Sequence, residues 1–138
     1  MYPYVTSYRG IAHPWLCDRL GHLNTRNYFA AMDDAMQHFF AVLGYEQEAG
    51  FGWADVSHHI QYEHEIPLGA LFHVDIALIR VGARAISYRQ KIVLTDGGTL
   101  AATCDATTVR FDLSERSAVS APAVIKANAE AYMLPADA

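Results

Sequence analysis

The chain predicts an α+β fold in which a curved antiparallel sheet wraps one long central helix. Two changes of period carry that expectation. From Asn24 onward, Tyr28, Met32, Ala35, Met36, Phe39 and Leu43 recur at three- and four-residue steps, the spacing of one helical face. After Gly44 the pattern turns strand-like for about sixty residues, interrupted only by turn signals at Pro67-Leu68-Gly69, Gly82 and Asp96-Gly97-Gly98. Strands of ten or more residues are long for a domain of this size, and long twisted strands curl around whatever covers them, so the sheet is expected to be curved.

Taken in order, Tyr4 to Ala12 reads as a first strand, and Pro14 to Gly21 is punctuated by proline and glycine as a loop. The helix follows. Asn24 or Thr25 can cap it by accepting from a free N–H of the first turn, and Gly44, just past Leu43, suits the left-handed position that ends a helix. Four strands are predicted next, over Gly52 to Ile66, Leu71 to Val81, Ala85 to Thr95 and Leu100 to Leu113, joined as an antiparallel meander. Val74, Ile76 and Leu78 share one face, as do Tyr88, Ile92 and Leu94, while Ser87, Arg89 and Lys91 face the other way. Asp96-Gly97-Gly98 is a hairpin turn, because glycine tolerates the positive φ such turns need. Past Pro122, Ala123 to Tyr132 forms a short terminal helix, so that roughly the last fifteen residues are a peripheral helix or tail.

Residues 1–138 make a single domain by this reading, without repeats or linkers. A chain this long buries roughly two-thirds of its unfolded surface and folds without a disulfide framework or metal. Cys17 and Cys104 are accordingly read as unpaired thiols of a cytoplasmic protein. No apolar run reaches the ~18 residues of a spanning helix, and Met1-Tyr2-Pro3-Tyr4 lacks a signal-peptide pattern. The net charge of −5 argues against a protein that grips a nucleic-acid backbone. With 52% hydrophobic but only 18% charged residues, the domain is expected to have apolar surface left to bury against a partner.

Chemistry concentrates in the segment before the helix, Asp18-Arg19-Leu20-Gly21-His22-Leu23-Asn24-Thr25-Arg26-Asn27-Tyr28. A carboxylate, an imidazole and two side-chain amides stand beside a helix N-terminus, whose unpaired N–H groups and dipole favour negative charge. Acyl transfer needs that combination: a carboxylate that attacks or activates water, and fixed donors where charge develops on the carbonyl oxygen.

The pattern Asp-x-x-Gly-His-x-Asn with Tyr four residues beyond the Asn, before a long apolar helix and a run of strands, resembles the hotdog-fold acyl-CoA thioesterases. It is most similar to the 4-hydroxybenzoyl-CoA thioesterase-like branch and its acyl-carrier-protein relatives, and the likeness runs from about Tyr4 to about Pro122. The resemblance implies hydrolysis of an acyl-CoA or acyl-carrier-protein thioester without metal or organic cofactor. It implies a homodimer or homotetramer built by edge-to-edge joining of sheets, with active sites at the dimer interface. It assigns Asp18 as nucleophile or general base, His22 and Asn24 to orienting the carbonyl or water, and the backbone at Asn24-Thr25-Arg26 to the oxyanion. Asn27 and Tyr28 would position the loop. A non-hydrolytic thioester- or small-ligand-binding domain and a 3-hydroxyacyl thioester dehydratase are the rivals, and the acid-bearing motif favours hydrolysis over both.

Other candidates carry less. His58, His59 and His64 do not converge on one ion when placed on a strand, since six residues span about 20 Å. Cys17 adjoins Asp18, but neighbours in an extended loop point apart. Arg80, Arg84, Arg89 and Lys91 are the densest basic cluster, suited either to coenzyme A phosphates or to a solvated strand face. Phe39, Phe40, Phe51 and Trp53 are the side chains expected to bear on pocket length.

Overall fold

A computed structural model describes residues 2–138. Strand β1 (Val5–Ile11) leads through a 3-10 turn at Pro14–Leu16 to helix α1 (Thr25–Val42). Then come β2 (Phe51–Tyr62), β3 (Leu71–Val81), β4 (Ala85–Leu94), β5 (Leu100–Asp112), the two-residue β6 (Ser117–Ala118) and α2 (Ala123–Asn128). The predicted terminal helix is thus split: α2 stops at Asn128, and a separate 3-10 turn covers Glu130–Tyr132. Among the described residues no helix is long and apolar enough to cross a membrane.

The strands form one antiparallel sheet in the order β1-β3-β4-β5-β2, with β6 added to β5. The expectation of a four-stranded meander therefore holds only for β3, β4 and β5. Strand β2 does not lie beside β3 but pairs with β5 from Phe51↔Asp112 to Tyr62↔Ala102, at the far edge. It also ends four residues earlier than predicted, because the chain leaves the sheet at Glu63 and crosses the open end of the molecule. The Glu63 and His64 N–H groups both donate to Ala101 O (2.8 and 3.1 Å), and the Leu23 and Leu68 N–H groups donate to Ile66 O (2.8 Å) and Gly21 O (3.0 Å). This crossing segment consequently lies against the loop that precedes α1, anchored by the fully buried Ile66.

The inner face of the sheet covers α1. Tyr28, Ala31, Met32, Ala35, Met36, Phe39 and Phe40 are buried on the helix against Val74, Ile76, Leu78, Ile86, Tyr88 and Ile92 of the sheet. Register shifts at Thr6/Tyr8, Asp55/Ser57 and Leu78/Arg80 add local twist to three strands, which is how so long a sheet curves around one helix. The helix packs most closely on β1 and β3. On its other side the space toward β2 is filled at the helix C-terminal end by Phe40, Tyr45, Trp53 and Tyr88, whose rings stand 4.7–6.5 Å apart. Phe39, Phe40 and Trp53 belong to this core end, and none of them, nor Phe51, lines the cavity beside the acid-bearing loop, contrary to the expectation from sequence.

Candidate active site

The loop before α1 is a tight hairpin closed by Asp18 N–H to His22 O (3.1 Å) and Gly21 N–H to Asp18 O (3.0 Å), with Gly21 at φ +84°. Such a φ suits glycine and strains other residues, which explains the Gly of the motif. The hairpin holds Asp18 half-buried at the mouth of the helix. Its Oδ1 accepts from the Leu20 N–H (2.9 Å) and its Oδ2 from the Asn24 side-chain amide (3.2 Å).

Asn24 also caps the helix, its Oδ1 accepting from the Arg26 N–H at 3.1 Å. One side chain thus joins the carboxylate to the helix start. The Asn27 N–H is taken by Asn24 O (2.9 Å), which leaves the Thr25 N–H as the first-turn donor that the cap does not use. Of the three backbone groups expected to face a carbonyl oxygen, two are committed: the Arg26 N–H to the cap and the Asn24 N–H to Leu16 O at 2.9 Å. The Thr25 and Arg26 side chains are exposed, while Asn27 ties the helix to the loop by donating to Leu16 O at 2.7 Å.

His22 is engaged elsewhere. Its Nε2 lies 3.2 Å from Glu65 Oε2 in the crossing segment, and its backbone bridges to Pro67. Among the described residues its imidazole makes no hydrogen bond to the Asp18 carboxylate. Tyr28 is 3% exposed and packs edge-on against Tyr62, ring centroids 5.2 Å apart. Burial pushes its phenol above the ordinary range, and Tyr62, Glu65 and Asp18 add in the same direction, so Tyr28 sits among the acids of the site. The sequence reading missed Glu65, for which no local signal exists: it reaches His22 only because the chain crosses from β2 to β3 over the loop.

A cavity of about 430 Å³ opens along α1 toward β2 and β4, with Phe29, Met32, Asp33, Asp55, His58 and Gln90 in its wall. Thr25, Phe29 and Asp33 follow one another at four-residue steps on one helical face, so the cavity begins about 6 Å along the helix from Thr25. Burial raises the Asp33 carboxyl above its usual value, with Asp55 and Asp34 acting in the same sense and His58 opposing. That helical spacing is the sequence signal by which Asp33 could have been found. Gln90 donates to Met32 O at 3.0 Å from the opposite wall.

The remaining candidates are dispersed. His58 packs edge-on against Phe29, His64 Nδ1 lies 2.6 Å from Glu65 O, and among the described residues no group of three or more metal-binding side chains forms. Arg89 is bound to Asp105 by two bonds (2.7 and 3.0 Å), and Lys91 lies over the Tyr4 ring, so two of the four basic candidates are spoken for; Arg80 and Arg84 are exposed. Cys17 donates weakly to Ala12 O (3.6 Å), and Cys104 is buried with its thiol pushed up to about 11 by burial first and Asp105 second.

No functionally curated protein matches the chain. Its fold recurs in solved structures: SAV2348 of Staphylococcus aureus, solved in complex with CoA, aligns with a TM-score of 0.83 over 96% of this chain and 85% of its own, at 18% identity. Slr0204 of Synechocystis, a 1,4-dihydroxy-2-naphthoyl-CoA thioesterase, aligns at 0.80 over 91% and 94%, at 15% identity. PA5185 of Pseudomonas aeruginosa aligns at 0.85 over 97% and 95%, at 18% identity. The sequence profile of the thioesterase-like superfamily matches residues 12–129, from the end of β1 through α2 and so across the whole acid-bearing loop. Fold, motif and profile agree, and the chain belongs to the thioesterase-like superfamily of hotdog-fold thioester hydrolases.

Proposed function

We propose that this protein hydrolyses acyl-CoA thioesters with Asp18 as the reacting carboxylate. One observation carries the reading: Asp18 is held by the Leu20 N–H and the Asn24 amide at the N-terminus of α1, beside the uncommitted Thr25 N–H. A thioester carbonyl at that N–H has its developing charge met by a donor and by the positive end of the helix dipole. The carboxylate either attacks the carbonyl carbon, expelling the CoA thiolate and leaving an acyl-Asp18 anhydride for water to cleave, or takes a proton from the attacking water. Both routes end in a free acid and CoA. Rapid-quench mass spectrometry separates them, because only the first adds the acyl mass to the protein.

The acyl group lies along α1 from Thr25 past Phe29 into the 430 Å³ cavity. CoA rather than a carrier protein is supported by the CoA-bound and CoA-thioester-cleaving structures that share the fold. We further propose that a second copy joins at β2, an edge strand of twelve residues whose Val56 and Tyr62 are exposed alongside Phe29 of the helix. Pairing there would use the apolar surplus and close the cavity from the open side.

Thiol release measured over a panel of acyl-CoAs differing in length and polarity tests the reaction. Hydrolysis of at least one, abolished in Asp18→Asn without change of fold, is expected. A panel without thiol release, or an Asp18→Asn variant of normal rate, overturns the assignment. Light scattering tests the oligomer, and a monomer at micromolar concentration overturns the proposed pairing.

A further inference from the structure

We propose that a groove at the opposite end of α1 from Asp18 is a second ligand site, for an organic monocarboxylate with an apolar body, held by Arg110. Arg110 stands near the end of β5 and is 4% exposed. Its guanidinium carbon lies 5.2 Å from the Tyr45 ring centre, 4.8 Å from that of Phe51 and 5.7 Å from that of Trp53, so three aromatic faces shield the charge from water. Against five N–H donors, the ion pair found among the described residues is a single contact, Nη2 to Glu48 Oε2 at 3.1 Å.

The rest of the donor set is unspent. Arg110 Nε and Nη1, Trp53 Nε1 and the Tyr45 hydroxyl are all buried and have no hydrogen-bond partner among the described residues. A buried donor left unpaired bears its full desolvation cost, and a charged one bears more. Two such nitrogens on the cation itself, with two more unpaired donors on the rings around it, mark a place built to receive an acceptor. Glu48, its side chain 64% exposed, holds one corner of the fork and returns to water at little cost.

The occupant follows from the walls. A groove of about 680 Å³ reaches Arg110 between Phe51, Val119, Pro122 and Val124, which are apolar, with Glu48 and Asp112 as its acids. Asp112 Oδ1 is already engaged by the Ser114 and Glu115 N–H groups (2.8 and 3.0 Å). Two carboxylates near the groove repel a multiply charged anion such as phosphate far more than a singly charged one. A carboxylate matches the guanidinium fork, and a hydrocarbon body matches the four apolar walls. Since α1 has 18 residues, about 27 Å of helix separates this groove from the Asp18 loop, and the inference does not rest on the proposed reaction.

Titration of the full-length protein with sodium octanoate tests it, following Trp53 emission in a Trp15→Phe background that removes the other, exposed tryptophan. Saturable binding is expected, tightened at least fivefold in Glu48→Gln, where the resident charge is gone, and weakened at least tenfold in Arg110→Lys, which has no fork. Inorganic phosphate and octanol should not reproduce the response. Octanoate held in the cavity along α1 would be indifferent to Glu48→Gln, so an unchanged affinity in that variant overturns the proposal even if Arg110→Lys fails to fold. An equal response to phosphate or to octanol overturns it as well.

Discussion

At its N-terminal end α1 begins among half-exposed polar side chains, Asp18, His22, Asn24 and Asn27, with a first-turn N–H left outside the cap. At its C-terminal end Phe39, Phe40 and Leu43 are almost wholly buried, and four of the carbonyls there are met by donors of the protein. Leu43, Gly44 and Tyr45 N–H groups donate to Phe39 O, Ala41 O and Phe40 O, and the Asn128 amide donates to Leu43 O at 2.9 Å. A helix has unpaired groups at both ends. Here one end is closed by backbone and side-chain donors of the protein itself, and the other is capped by one asparagine that also touches the carboxylate. Under the function proposed above, the N-terminal end meets the thioester while the aromatic packing at the C-terminal end supports the fold, so substitutions at Asp18 and at Phe40 should separate activity from folding.

The largest separation is expected from Asp18→Asn, which should lower kcat by about a thousandfold or more, equivalent to about 4 kcal/mol of barrier, while thermal unfolding stays near that of the parent. The opposite pattern is expected for Phe40→Ala. Removing a ring that packs 4.7 Å from Trp53 should cost about 3 kcal/mol in denaturant titration, with much smaller effect on kcat in the folded fraction. If Phe40→Ala instead abolished turnover in fully folded protein, the division between the two ends would fail.

A pH series probes the core independently. Burial holds the Cys104 thiol up to about 11, so the folded chain keeps it protonated where the unfolded chain, near the ordinary thiol value of ~8.5, releases the proton. That stability is complete below the unfolded value and is lost as pH rises toward the folded one, on the order of 3 kcal/mol. Cys104→Ala should therefore lose less stability between pH 8 and 11 than the parent, and an identical slope would count against the shift. A smaller stability change than at Phe40 is expected at the cap. Asn24→Ala should cost about 1 kcal/mol, whereas Asn24→Asp keeps the cap but sets a second negative charge against Asp18, so its stability should change less and its activity fall further. Equal activity in the two variants would show that Asn24 serves the helix alone.

Much of this was legible in the chain because local spacing encodes it. The apolar steps from Tyr28 to Leu43, the Asn24 cap and the glycine at position 44, with φ +84°, are each decided within a few residues. Asp18 beside Asn24 is likewise a matter of six residues and one tight turn. Glu65 and His22 are 43 positions apart and Arg110 and Glu48 are 62, and no periodicity links either pair.

Periodicity tells a strand which faces to bury but not which neighbour to take. By itself the sequence determined an apolar helix, its polar entrance and strands long enough to enclose it. Only the tertiary structure decided that β2 crosses to the far edge against β5, that the connecting segment passes over the Asp18 loop and brings Glu65 to His22, and that Arg110 ends in an aromatic box. The reason is that strand pairing and charge burial are settled by closing the whole sheet around α1, where many backbone hydrogen bonds and one shared core must be satisfied at once.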